Sequence, residues 1–128
     1  MDTLDQYRDI IENALTAVTD SPADEEGVVE RTIFDRHSDS YLVIAEGWNG
    51  EERTHHCLVH IEIINSKVWI QKDSIEYGIA TDLEKAGIPK SEIVLGFHPP
   101  EVRSFTGYAA EILPFEKISP KFEHLRAA

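Results

Sequence analysis

Six histidines stand in the chain, and His55, His56 and His60 form the closest group that could hold a metal. On a strand His56 and His60 lie ~13 Å apart at ~3.3 Å per residue, and His55 points to the opposite face, so no two can share a zinc ion at ~2 Å bonds. They read as surface or partly satisfied histidines, and no metal is expected. Cys57 beside His56 has the residue types of a nucleophile with its base, but neighbours on a strand project to opposite faces. A small buried hydrophobe is the better account of Cys57. No Gly-rich phosphate loop, G-x-S-x-G elbow or H-E-x-x-H occurs, and with 24 acidic side chains no carboxylate pair stands out. A carboxylate nuclease centre also wants a lysine two residues after an acid on a strand. The segment ending Trp69-Ile70-Gln71-Lys72 has none so placed. No catalytic residue and no cofactor are therefore expected.

Two stretches are chemically dense without being catalytic motifs. Trp69, Gln71, Lys72, Asp73 and Glu76 gather near the end of one strand-like run. Phe97, His98, Pro99, Pro100, Glu101 and Arg103 form a stiff turn that mixes aromatic, imidazole and guanidinium groups. Trp and Arg concentrate binding energy at interfaces, so Trp69, Gln71, Glu76, Phe97, His98, Pro99, Pro100 and Arg103 are the candidate partner-binding residues. The plainer readings are tryptophan packing with a helix cap at Asp73 or Ser74, and a rigid chain reversal at the prolines. A rival reading places a pocket around His98 and Arg103, that of a small-ligand protein or an enzyme.

The elements that must position these residues follow from periodicity. Leu4, Tyr7, Ile11, Ala14, Leu15 and Val18 recur at helical spacing, and Thr3 with Gln6 three residues on predicts a capping box. Val28 to Phe34 has strand composition, and Tyr41-Leu42-Val43-Ile44-Ala45 begins another strand. Asn49-Gly50 predicts a two-residue hairpin loop, which puts Glu46 opposite Arg53. A long strand from about Glu52 to Ile64 follows, then a second tight turn at Asn65-Ser66 that places Ile63 opposite Val68 and Ile61 opposite Ile70. Ile79, Ala80, Leu83 and Ala86 predict a short helix stopped by Gly87, with Ile88 beyond it. Ile93 to Phe97 predicts a short strand, Pro100 opens a helical turn through Arg103, and Ser119-Pro120 starts a short helix bearing Phe122 and Leu125. The expected fold class is α+β: an N-terminal helix packed on a four-stranded antiparallel meander, followed by short helices and a short C-terminal strand.

Alternation assigns Leu42, Ile44, Cys57, Val59, Ile61, Ile63, Val68 and Ile70 to the face beneath the first helix. The other face then carries Tyr41, Val43, Leu58, Ile64 and Trp69 beside His56, His60 and Glu62. It is too apolar to be left in water, so C-terminal segments, a second copy in a homodimer or a partner must cover it.

A chain of 128 residues suits one domain, 1–128, because it buries only about two thirds of its unfolded surface. The longest apolar runs, such as Tyr41 to Ala45, fall far short of the ~20 residues a bilayer needs, and no signal peptide is recognisable. The lone Cys57 allows no internal disulfide, as in a reducing compartment, and the expected location is the bacterial cytoplasm. Net charge is −12, and residues 1–30 hold nine acids against Arg8 alone. Such a surface repels phosphate backbones, so the chain by itself is not expected to bind nucleic acid. A partner-binding regulator fits these properties better than an enzyme.

The run WIQKDSIEYGIATDLEKAGIPKSEIVLGFHPPEVR, from Trp69 to Arg103, resembles the signature of the XisI family, the fdxN element excision controlling factors of cyanobacteria. The resemblance extends to Tyr41-Leu42, Gly47-Trp48, Arg53 and the opening LDQYRDIIE. The sequence departs from the family pattern at Ser66, where Gly precedes the turn lysine, and at Ile75, where Thr precedes Glu76. The resemblance implies an accessory role in site-specific DNA excision, beside a separate recombinase and an XisH-like companion. The leading expectation is a regulator that binds this companion, restraining it as an antitoxin restrains a toxin. It carries over no catalytic residue.

Overall fold

The computed structural model describes residues 2–21 and 26–118. The predicted helix at Ser119-Pro120 lies outside the described residues. Helix α1 runs Thr3–Asp20 and buries Tyr7, Ile11 and Leu15, one per turn at four-residue spacing. Its cap is Asp2 rather than Thr3: the Asp2 carboxylate accepts from the Leu4 N–H at 3.3 Å. The cap thus falls one residue before the expected capping box, at a charged acceptor that also complements the positive end of the helix.

Strands β1 (Val28–Asp35), β2 (Ser40–Asn49), β3 (Glu52–Ile64) and β4 (Lys67–Asp73) form the antiparallel meander, and β5 (Ile93–Leu95) adds a fifth strand parallel to β4. Helix α2 (Ile79–Lys85) makes the crossover that a parallel strand requires. Its C-terminus is a Schellman motif: Ile88 N–H bonds the Leu83 carbonyl at 3.0 Å and Gly87 N–H bonds that of Glu84 at 3.1 Å. Asp73 caps the entry to α2, its carboxylate accepting from Ile75 N–H at 3.0 Å and Ile79 N–H at 2.8 Å.

The second hairpin follows the expected register, with Asn65 and Ser66 at φ 52° and 66° and Ile61 opposite Ile70. The first does not. Asn49 pairs with Glu52, so the loop is Gly50-Glu51 and Trp48, not Glu46, faces Arg53. Gly50 at φ 64° is the one loop residue with positive φ, as a type II′ turn requires, and this moves the loop one residue along. The Arg53 guanidinium instead lies 5.5 Å from the Trp48 ring centre, and Glu46 pairs with Arg31 at 2.9 Å.

A larger correction concerns the two faces. Val43 pairs with Val59 but Ile44 pairs with Cys57, so Leu58 is an extra residue in β3. One inserted residue reverses which side chains share a face on either side of it. Tyr41 and Val43 therefore join Val59, Ile61, Ile63, Val68 and Ile70 beneath α1, in the main core. Leu42, Ile44 and Cys57 are only half-buried and belong to the opposite side. Arg8 secures α1 over this core through a two-pronged pair with Asp39, at 2.8 and 3.1 Å, and Asp39 also accepts from the Tyr41 hydroxyl at 2.9 Å. Burial, with the Asp39 carboxylate next in weight, pushes the Tyr41 hydroxyl up.

Candidate functional site

The far side of the sheet has its own small core, Trp69, Val94 and Leu113, with Ile64 and Ala109 packed against it. Ala109 lies alongside Val94 in a parallel bridge, and its N–H bonds the Ile93 carbonyl at 2.8 Å, so the chain after the prolines runs back across β5. Glycine at position 96 permits the close approach at this edge. A Cβ there would run into the Gln71 amide oxygen and come within 3.0 Å of the Trp69 ring.

Arg103 holds the region together. It sits in a 3₁₀ helix, Pro100–Phe105, that Pro100 opens as its fixed φ favours. The guanidinium carbon lies 5.1 Å from the Trp69 ring centre. Nε donates to the His98 carbonyl at 3.1 Å. One terminal nitrogen donates to the Glu111 carbonyl at 2.9 Å and Glu116 Oε1 at 2.7 Å, the other to the Gly96 carbonyl at 3.1 Å and Glu116 Oε2 at 2.5 Å. All five N–H groups are thus engaged, the full capacity of the fork. Glu116 Oε1 further accepts from the Leu113 N–H at 2.8 Å. The Arg103 hydrogen bonds hold the Glu116 carboxyl below the usual carboxylate range against an opposing burial effect.

This bonding fixes an apolar rim. Phe97, Phe105, Ile112 and Phe115 are all exposed, Phe115 by 79%. Each lies within two residues of Arg103 or of a residue bonded to it. The His98 ring rests 4.6 Å from the Phe97 ring, centre to centre. Nearby, Glu101 is buried, and its Oε2 has no hydrogen-bond partner among the described residues. Tyr108 donates to Glu84 at 2.5 Å, and burial, followed by that carboxylate, raises its hydroxyl to about 12.

Of the residues singled out by sequence, Trp69, Gln71, Phe97, His98, Pro99, Pro100 and Arg103 converge on this edge of the sheet. Gln71 donates to Glu62 at 3.2 Å and borders Gly96. Glu76 does not join them; it lines a cleft of about 290 Å³ with Val18, Leu58 and Tyr77 on the helix side. The five-residue apolar face also divides. Ile64 and Trp69 are covered by the chain's own C-terminal stretch, whereas Tyr41 and Val43 are fully buried under α1 and Leu58 packs against the same core. Glu116 and Leu113, which complete the site, carried no sequence signal: one of 24 acids and one leucine in an irregular stretch.

His55 and His56 are exposed, and His60 bonds the Ser40 hydroxyl at 3.0 Å. Among the described residues no group of three His, Cys, Asp or Glu side chains could hold a metal ion. The Cys57 thiol donates to the Val59 carbonyl at 3.2 Å and is pushed up chiefly by burial. No helix among the described residues is long and apolar enough to cross a membrane.

A family model described as XisI protein matches residues 1–110. The fold is similar to the crystal structure of a XisI-like protein from Anabaena variabilis, at 28% identity and a TM-score of 0.80, covering 85% of this chain and 100% of that one. It is also similar to the fdxN element excision controlling factor XisI from Anabaena variabilis, at 36% identity and a TM-score of 0.76, covering 86% of this chain and 100% of the other. Among curated proteins, none matches.

Proposed function

This chain belongs to the XisI family, and from that premise we propose that it is a non-enzymatic control factor of DNA element excision that acts in the cytoplasm by binding a protein partner. The observation that carries the reading is the rim of Phe97, Phe105, Ile112 and Phe115 held out around one saturated arginine. Exposed aromatic side chains on a rigid frame suit a protein interface, because little conformational entropy is lost when they dock. The rival pocket around His98 and Arg103, for a small ligand or an enzyme's substrate, is filled by the chain's own residues, which satisfy every Arg103 N–H.

The partner favoured is an XisH-like companion, with the factor restraining it as an antitoxin restrains a toxin. The uncovered half of the sheet, with Val29, Ile33 and Trp48 exposed, is the surface left for a second copy. Co-expression with the tagged companion tests the reading. The companion should retain the wild-type chain, and Phe105→Ser with Phe115→Ser should reduce retention at least tenfold without loss of fold. Equal retention of that variant would remove the rim from the interface, and no retention of the wild type would remove the companion.

A further inference from the structure

The bonding of Arg103 divides at residue 110. Within the stretch that the family model matches, two of its five N–H groups are satisfied, by the carbonyls of Gly96 and His98. The other three are met only beyond it, by the Glu111 carbonyl and the two oxygens of Glu116. Take residues 111–116 away, and the guanidinium loses three of its acceptors and the Glu116 carboxylate and opens to solvent, with Nε and one terminal N–H still held by the His98 and Gly96 carbonyls. A cationic fork held in place in this way matches a carboxylate. Beside it, Trp69 and Val94 would lose Leu113, the apolar side chain that covers them. The edge of the sheet is therefore a two-part socket, a cationic fork next to an apolar recess.

We propose that Trp69, Val94 and Arg103 form a receptor site for a peptide segment carrying an aliphatic residue three positions before a carboxylate. Residues 113–116, Leu-Pro-Phe-Glu, are a copy of that segment bound in cis. The segment is built for the task. Leu113 N–H bonds Glu116 Oε1 at 2.8 Å and Glu116 N–H bonds the Leu113 carbonyl at 2.9 Å, so a single turn presents both side chains together. The planar guanidinium fork takes a carboxylate in two parallel bonds, a geometry that a lysine cannot reproduce. Phe115 points its ring to solvent between the two anchoring residues and takes no part in the grip. A tethered segment competes at an effective concentration in the millimolar range, so an outside segment enters well only when the cis copy is weakened. The inference rests on the reading that the chain works by binding a protein; a segment entering the socket releases Ile112 and Phe115 with the cis copy and leaves Phe97 and Phe105 as the rim beside it.

The test uses a fluorescein-labelled peptide of residues 112–117 and the full chain carrying Leu113→Ala and Glu116→Gln, read by fluorescence anisotropy. The peptide should bind this variant at least tenfold more tightly than it binds wild type. Replacing its glutamate by glutamine, or adding Arg103→Lys to the protein, should each weaken binding at least tenfold. A folded variant that ignores the peptide, or that binds the glutamine peptide equally well, overturns the proposal. If the variant does not fold, unlabelled peptide at millimolar concentration is added to wild type and hydrogen exchange is followed. Faster exchange of the Leu113 amide supports displacement of the cis copy, and unchanged exchange overturns it. No partner is present in these assays. A chain that retains the XisH-like companion yet ignores the peptide would lose the socket and keep the proposed function.

Discussion

Arg103 and Glu116 meet in a two-pronged ion pair of 2.7 and 2.5 Å, with only 1% and 16% of their side chains exposed. They are thirteen residues apart and belong to no common element. The pair is what turns an irregular C-terminal stretch into a fixed cover over Trp69. Its removal should therefore be felt as a loss of local structure as well as of charge.

Replacing Glu116 with Gln keeps the side-chain size but leaves Arg103 buried without its counter-ion. Breaking a buried pair by removing one partner costs about 3–5 kcal/mol. Urea unfolding of Glu116→Gln should show a loss of that order, with Trp69 more exposed to quenchers before the main transition. Replacing both members by Met and Leu should cost less than Glu116→Gln alone, because no unpaired charge remains. A single variant as stable as wild type would mean that the pair holds nothing in place.

The same pair sets a pH dependence. An acid whose folded value is lowered contributes stability that is fully present above its unfolded value, about 4.3 for Glu, and is lost as pH falls through the lower folded value. Glu116 beside Arg103 shifts in this direction, and so does Asp39 beside Arg8. The stability gap between wild type and Glu116→Gln should stay constant from neutral pH down to about 5 and narrow below it. Thermal melts of both proteins across that range give the gap directly, and a gap that persists unchanged in strong acid contradicts the assignment.

Much of the frame is legible in the sequence because it is local. The Asn65-Ser66 turn and the Gly87 helix stop depend on residues within a few positions, and both take the expected geometry. The extra residue at Leu58 has no such mark. A bulge costs a β-branched strand little and changes no composition, yet it transfers Tyr41 and Val43 from one face to the other. The site divides in the same way. The density of Trp, Arg and Pro marks Trp69 and the turn from Phe97 to Arg103 in the sequence, whereas Glu116 gains its meaning only from a tertiary contact.

Charge makes a prediction that does not depend on the site. At a net charge of −12, the counter-ion release that drives binding to duplex DNA works against this chain. Gel-shift titration at ~150 mM salt should give no complex with the protein alone. A micromolar complex with a steep salt dependence would contradict this, whereas a shift that needs the companion would agree with action through a partner.

The exchange of faces at Leu58 can be tested with two aspartates. Val43 is fully buried opposite Val59 beneath α1, whereas Ile33 is 53% exposed on the other side of the sheet opposite Leu42. A carboxylate at Val43 has no partner in an apolar core, so Val43→Asp should cost at least ~3 kcal/mol or abolish folding. Ile33→Asp stays in solvent, and a surface substitution of that kind should change stability by less than about 1 kcal/mol. Without the inserted residue the two strands would keep one alternation throughout, and Val43 would share the uncovered face. Circular dichroism melts of both variants decide between the two arrangements: a stable Val43→Asp protein beside an unfolded Ile33→Asp protein would place the bulge elsewhere and reverse the sheet.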